Sequence, residues 1–143
     1  MIRTEWQIRI ERPVEDVFDF VADLRNDPRW NPDASDVVKH GDGPVGVGTV
    51  FEEDVQPFGH CVATIDIYER PSAAGYAVRS AKADVSVRFH LADAGNGATD
   101  VTCEAELRLK GVLRLLEPVG TRVAARREQT SRGPLLKRAL ESL

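Results

Sequence analysis

No stretch of this 143-residue sequence approaches the run of about 18 apolar residues that a membrane-crossing helix requires. Cysteine is nearly absent: Cys61 and Cys103 are too few for a disulfide-stapled scaffold, and the first residues do not read as a secretory leader. Both thiols are therefore expected to be free and packed as small apolar residues, in a soluble protein of a reducing compartment, the cytoplasm. A basic surplus is lacking as well. Asp and Glu number 23 against 19 Lys and Arg, leaving a formal charge of -4 and a pI near 5.4. Bulk charge thus speaks against a nucleic-acid surface and gives no reason for an anionic membrane as partner, while small neutral or apolar ligands stay open. The three histidines, His40, His60 and His90, share no metal-ligand spacing, and no G-x-S-x-G elbow is present. Neither a metal, nor a cofactor, nor an obvious hydrolase is expected.

What is present is alternation. Trp6, Ile8 and Ile10 face one way in residues 2 to 11, against Glu5, Gln7, Arg9 and Glu11, which reads as a half-buried strand. After Pro13 the period changes, with Val14, Val17, Phe18, Val21 and Leu24 on one stripe and Glu15 and Asp16 in the first turn, predicting a three-turn amphipathic helix. Asn26, Asp27 and Pro28 end it. Aromatics make up only 6% of the chain, so a tryptophan within the turn-rich Trp30-Asn31-Pro32 must be tucked under something. Strands are then predicted over Ser35 to His40, Thr49 to Gln56, Cys61 to Glu69, Gly75 to Ala81, Val85 to Ala92 and Thr99 to Leu109. The short connections between them mean a consecutive antiparallel meander within one domain, residues 1–143, large enough to bury a core.

The alternation assigns faces. Val85, Val87, Phe89 and Leu91 share one side, Val101, Cys103, Ala105, Leu107 and Leu109 another, and Cys61, Ala63, Ile65 and Ile67 a third that Tyr76 and Val78 join. Many of these inward residues are small, so a sheet curled around a helix would keep unfilled apolar volume, a pocket. The helix is read from Gly111 to Leu143, where Val112, Leu116, Val119 and Val123 fall on one stripe. Continuing that stripe brings Arg126 near its centre, either snorkelling to solvent or reaching a ligand's anionic group. Gly133-Pro134 should kink or break the helix.

Other motifs are read against simpler explanations. Gly41-Asp42-Gly43-Pro44-Val45-Gly46 matches G-x-G-x-x-G formally, but a strand rather than a helix N-terminus follows it, so it is no dinucleotide site. The acidic run Glu52-Glu53-Asp54 either lies in an edge strand with its carboxylates in water, the simpler reading, or buries one that could act as general acid or base. Tyr68 and Tyr76 either donate into a cavity or pack with the hydroxyl reaching solvent.

The order strand, Pro13-x-x-x-Val17-Phe18-Asp19-x-Val21-x-Asp23, Trp30-x-Pro32, Gly46-x-Gly48-Thr49, meander, and a helix ending Leu136-Lys137-x-x-Leu140-Glu141 resembles the polyketide cyclase/dehydrase and lipid transport proteins. These are a branch of the START/Bet v 1-like (SRPBCC) superfamily. The resemblance spans nearly the whole chain, although Arg12 stands where such proteins often have a small residue. It implies an α+β helix-grip fold: a curved antiparallel sheet of about six to seven strands wrapped around a long C-terminal helix, with one or two short helices after the first strand. It also implies a deep pocket for an apolar or aromatic ligand.

The function expected from residues and resemblance together is binding of a hydrophobic molecule of lipid, polyketide or isoprenoid type, by a monomer or homodimer. Trp30, Phe51, Ile65, Tyr76, Phe89, Leu107, Val119 and Val123 are the expected wall, with Arg126 as polar contact. The alternative is a cyclase or dehydratase using polar groups in the same cavity, for which Glu53 or Asp54, Tyr76 and Arg126 are the candidates; no residue motif assigns catalysis.

Overall fold

A computed structural model describes residues 1–116 and 132–143 of the chain. Seven strands, β1 (Ile2–Ile10), β2 (Ala34–Lys39), β3 (Val50–Val55), β4 (Gly59–Glu69), β5 (Ala73–Ser80), β6 (Ala83–Gly95) and β7 (Ala98–Leu109), form one sheet in the order β1-β7-β6-β5-β4-β3-β2 among the described residues. Every neighbouring pair is antiparallel. β2 to β7 make the expected meander. The Gly95-Asn96-Gly97 turn between β6 and β7 is possible because all three residues take positive φ, 84°, 54° and 73°, which glycine and asparagine tolerate. β1 closes the order by pairing with β7 from Ile2 opposite Leu107 to Ile10 opposite Thr99, a non-local pairing that no local pattern could announce.

One assignment of faces is corrected. A register shift between Ile65 and Ile67 interrupts the β4–β5 ladder, which resumes with Tyr68 opposite Ala74. The extra residue flips the alternation, so Tyr68 rather than Ile67 packs onto the core, its ring edge-on to Phe18 at 5.0 Å.

The first helix, α1 (Val14–Ala22), is shorter than its apolar pattern suggested. Asp23 turns extended, φ -104° and ψ 106°, and its carboxylate accepts from the Arg25 amide, which starts a 3-10 turn over Leu24–Arg29. Val14, Val17, Phe18, Val21 and Leu24 are buried as the pattern requires, and Phe20 is buried too, with the Arg29 guanidinium 5.3 Å above its ring.

At the other end, residues Gly111–Leu116 form a 3-10 turn rather than the start of an α-helix, and Val112, expected on the apolar stripe, is 81% exposed. Val119, Val123 and Arg126 lie outside the described residues. A second helix, α2 (Gly133–Glu141), begins at the expected break, with Pro134 in the first turn, where a missing amide donor costs nothing. It lies against β1 through the fully buried Leu136 and Leu140. Glycine at 133 permits this approach, since a Cβ there would stand 3.3 Å from Trp6 Cε3. Lys137 Nζ donates to the Arg9 carbonyl at 3.0 Å and Glu141 Oε2 accepts from the Glu11 amide at 2.9 Å, so the helix is tied along the strand it covers.

Candidate functional site

Between the concave side of the sheet and the turn after α1 lies a cavity of about 160 Å³. β5, β6 and β7 supply its apolar wall through Tyr76, Val78, Val85, Val87, Phe89 and Ala105, and Trp6 of β1 closes the side with its ring 6.1 Å from Phe89 in an edge-to-face arrangement. Beside these aromatics the inward residues are small or β-branched, and such side chains leave volume unfilled where sheet and helices diverge.

One end of the cavity is polar. Glu53 comes from β3, where the period of two places Phe51 and Glu53 inward and Glu52 and Asp54 outward. The expectation of an edge strand in water is therefore wrong: β3 runs between β2 and β4, and Glu53 is only 3% exposed. Asp27, 6% exposed, comes from the 3-10 turn. Its carbonyl accepts from the amides of Trp30 and Asn31 at 3.1 and 2.8 Å, which holds the Trp30-Asn31-Pro32 segment against the cavity. Trp30, at the end of the turn, is half-buried and packs against the core.

The Asp27 and Glu53 carboxyls share a hydrogen bond in a nearly dry place. Burial pushes the Asp27 carboxyl well above the ordinary carboxylate range, and the neighbouring Glu53 charge pushes it further; the Trp30 indole only partly offsets this. Burial likewise lifts Glu53 to about 7, with Asp27 as donor holding it lower than burial alone would. Near neutrality the pair carries one or two protons. Glu53 Oε2 and Trp30 Nε1 are each buried with no hydrogen-bond partner, the indole facing Asp27 without reaching bonding geometry. Ser80, another buried polar group on the wall, spends its hydroxyl on the backbone of Ala83, donating to the carbonyl at 2.8 Å and accepting from the amide at 3.0 Å.

Arg132, at the start of α2, stands at the cavity's rim and is held by the turn it faces. Its guanidinium donates to Asn31 Oδ1 and, at 3.0 Å, to Asp33 Oδ2, in a pair whose side chains are 13% and 20% exposed. A forked cation thus joins the C-terminal helix to the segment carrying Trp30. On the convex face of the sheet, His40 and His60 converge on Glu52, at 2.5 and 2.9 Å; the described residues contain no group of three His, Cys, Asp or Glu suited to a metal.

Of the residues expected from sequence to line a pocket, Trp30, Tyr76 and Phe89 do so. Phe51 and Ile65 are fully buried in the core but are not on the cavity wall, and Leu107 borders a separate surface depression with Met1 and Arg79. Asp27 and Arg132 were missed as contributors. Asp54, the alternative to Glu53, points outward to His60 Nδ1 at 3.3 Å.

The model of the family described as polyketide cyclase/dehydrase and lipid transport matches residues 1–142. The chain belongs to this family. Among solved structures, a Bacillus halodurans protein determined in solution superimposes with a TM-score of 0.73 at 20% identity, covering 98% of this chain and 97% of that one. A START superfamily protein from Mycobacterium smegmatis gives 0.73 at 16% identity, over 98% and 94% of the two chains. Ara h 8.0201 gives 0.68 at 16% identity, over 99% and 98%. At such identities the likeness is one of fold. No curated protein matches the sequence significantly. Family and fold together suggest binding of a hydrophobic ligand or a polyketide cyclase-like role, and no described helix is long and apolar enough to cross a membrane.

Proposed function

We propose that this protein binds a small hydrophobic or aromatic molecule in the cavity between its sheet and its C-terminal segment. The observation that carries the reading is the cavity itself: about 160 Å³ of unfilled volume against the core, walled by aromatic and β-branched side chains. Trp30, Tyr76 and Phe89 wall the ligand, while Phe51 and Ile65 support the sheet behind them. An engineered apolar cavity of about 150 Å³ holds one benzene ring. The volume therefore favours a monocyclic ligand or part of a larger one over a complete polycyclic or isoprenoid molecule. Titration with toluene, followed by calorimetry and by NMR shifts of Tyr76 and Phe89, tests this; millimolar or tighter binding that Val87→Phe abolishes is the expected result. Absence of binding up to saturation of the probe rejects it.

A second reading, a cyclase or dehydratase acting on a polyketide-like substrate, draws on the buried Asp27–Glu53 pair. A carboxyl titrating near 7 is matched to moving protons at physiological pH. Ionised Glu53 would remove a proton next to a carbonyl, and the same proton, returned to a departing β-hydroxyl, would leave as water. Turnover of a β-hydroxyketone that survives both Asp27→Asn and Glu53→Gln excludes this assignment.

A further inference from the structure

We propose that the polar end of the cavity is a receptor for a hydroxyl group, Glu53 accepting from it and Trp30 donating to it, and that the ligand is a single-ring phenol. This deepens the ligand-binding reading above and rests on it.

The argument starts from what is left unsatisfied. Glu53 and Trp30 both contribute to the wall, and each keeps one buried polar atom without a partner, the acceptor Oε2 and the donor Nε1–H. A buried group left so has lost its water without compensation, and structures rarely retain two at one place without a use for them. Both side chains interact with the Asp27 carboxyl. One donor and one acceptor, carried by two residues that line an apolar cavity of ring size, specify the ligand's polar group by complementarity.

Candidate groups separate on this criterion. A hydroxyl has one donor and two lone pairs, so it can give its proton to Oε2 and accept from the indole at once. An ammonium would satisfy Glu53 but offers no lone pair to the indole N–H. A carboxylate would satisfy the indole but sets a third acid against Asp27 and Glu53. A hydrocarbon leaves both atoms orphaned. With the polar end occupied by a hydroxyl, the ring extends between Tyr76 and Phe89, where edge and face contacts are available.

The protonation state follows from the same contacts. The other titratable groups around the pair are Asp23 beside Asp27, Cys61 opposite Glu53 in the β3–β4 register, Tyr76 on β5, Cys103 on β7 and Arg132 just before α2. Arg132 directs its guanidinium to Asn31 and Asp33, and burial pushes the Cys61 thiol up, so it remains neutral. Glu53 is therefore the group that changes charge near neutrality. A phenol O–H favours its ionised form, so binding expels a proton; a hydrocarbon only dries the pair further, so binding takes one up.

The test is isothermal calorimetry of the full chain with phenol and with toluene, its isostere, at pH 7 in phosphate and in Tris, whose different ionisation enthalpies report the proton count. Phenol is expected to bind at least tenfold more tightly than toluene and to release protons, while toluene absorbs them. Glu53→Gln should abolish the proton release and narrow the phenol preference severalfold. Should that variant fail to fold, the phenol-to-toluene ratio of the unaltered protein, rising from pH 6 to pH 8, carries the same information. Equal affinities, or phenol binding without proton release, overturn the hydroxyl receptor and leave the hydrophobic cavity intact. Failure of both probes to bind overturns the cavity reading, and with it this one.

Discussion

Replacing Glu53 by Gln should make the protein relatively more stable as the pH rises, although it removes a carboxyl engaged in a hydrogen bond. Folding holds the Glu53 carboxyl at about 7, against 4.5 for the same group in an unfolded chain. As the pH climbs through this window the unfolded state loses its proton first and is stabilised relative to the folded state. The stability contributed by protonated Glu53 is thus fully present below pH 4.5 and is lost on the way up through 7. At about 1.36 kcal/mol per unit, the wild type loses about 2.5 kcal/mol from this group between pH 5 and pH 8. Glutamine keeps the shape and does not titrate. The difference in unfolding free energy between variant and wild type should therefore shift by about 2.5 kcal/mol in the variant's favour over that interval, or roughly 10 °C in Tm for a chain of this size. Any fixed cost of the exchanged hydrogen bond to Asp27 cancels in the comparison across pH. Urea denaturation of both proteins at pH 5, 6, 7 and 8 measures it. Parallel stability curves would show that Glu53 is ionised and solvated in the folded state, and would refute the dry carboxyl pair.

On the convex face both signs occur together, a lowered carboxyl and a raised imidazole. His40 and His60 hold the Glu52 carboxyl below its ordinary range, and Glu52 and Asp54 raise His60. Glu52→Gln should therefore cost most between about pH 5 and pH 7, where carboxylate and imidazolium coexist, and less on either side; denaturation midpoints across pH 4 to 9 report this. Leu136→Ala empties a fully buried position where α2 meets β1 and should destabilise by about 2–5 kcal/mol in urea unfolding. A loss below 1 kcal/mol would mean that the helix is not integral to the core. Gly75→Ala should cost about 1–3 kcal/mol, because the new Cβ meets Arg88 Cδ at 3.0 Å and the Val87 carbonyl at 3.1 Å, and the Arg88 contact to Asp66 must yield. Unchanged stability would show that Arg88 moves aside freely.

The meander was legible because each strand announces itself in about eight residues: alternation, β-branched residues and short turns are local properties. Pairing across the chain is not local. Nothing in Trp6-x-Ile8-x-Ile10 says that β1 lies beside β7, and nothing in Glu52-Glu53-Asp54 says that β3 is an interior strand, which is what turned the edge reading around. The flip between Ile67 and Tyr68 was hidden for a related reason, since a bulge breaks the very period from which faces are read. Asp27 was the hardest residue to see. It sits in a turn whose Asn-Asp-Pro composition is explained by the turn alone, and its partner is 26 positions away on another element. Yet Glu53 carried a usable signal: strict alternation from Phe51 puts a carboxyl inside, at odds with the rule that charges stay in water. Where a chain obeys its local pattern and breaks its burial rule at the same residue, the conflict marks a place where folding alone does not explain the side chain. Here that residue faces Asp27 at the end of an apolar cavity, which is why the discrimination among ligands should lie there and not along the apolar walls, whose Val and Phe side chains accept any ring of the right size.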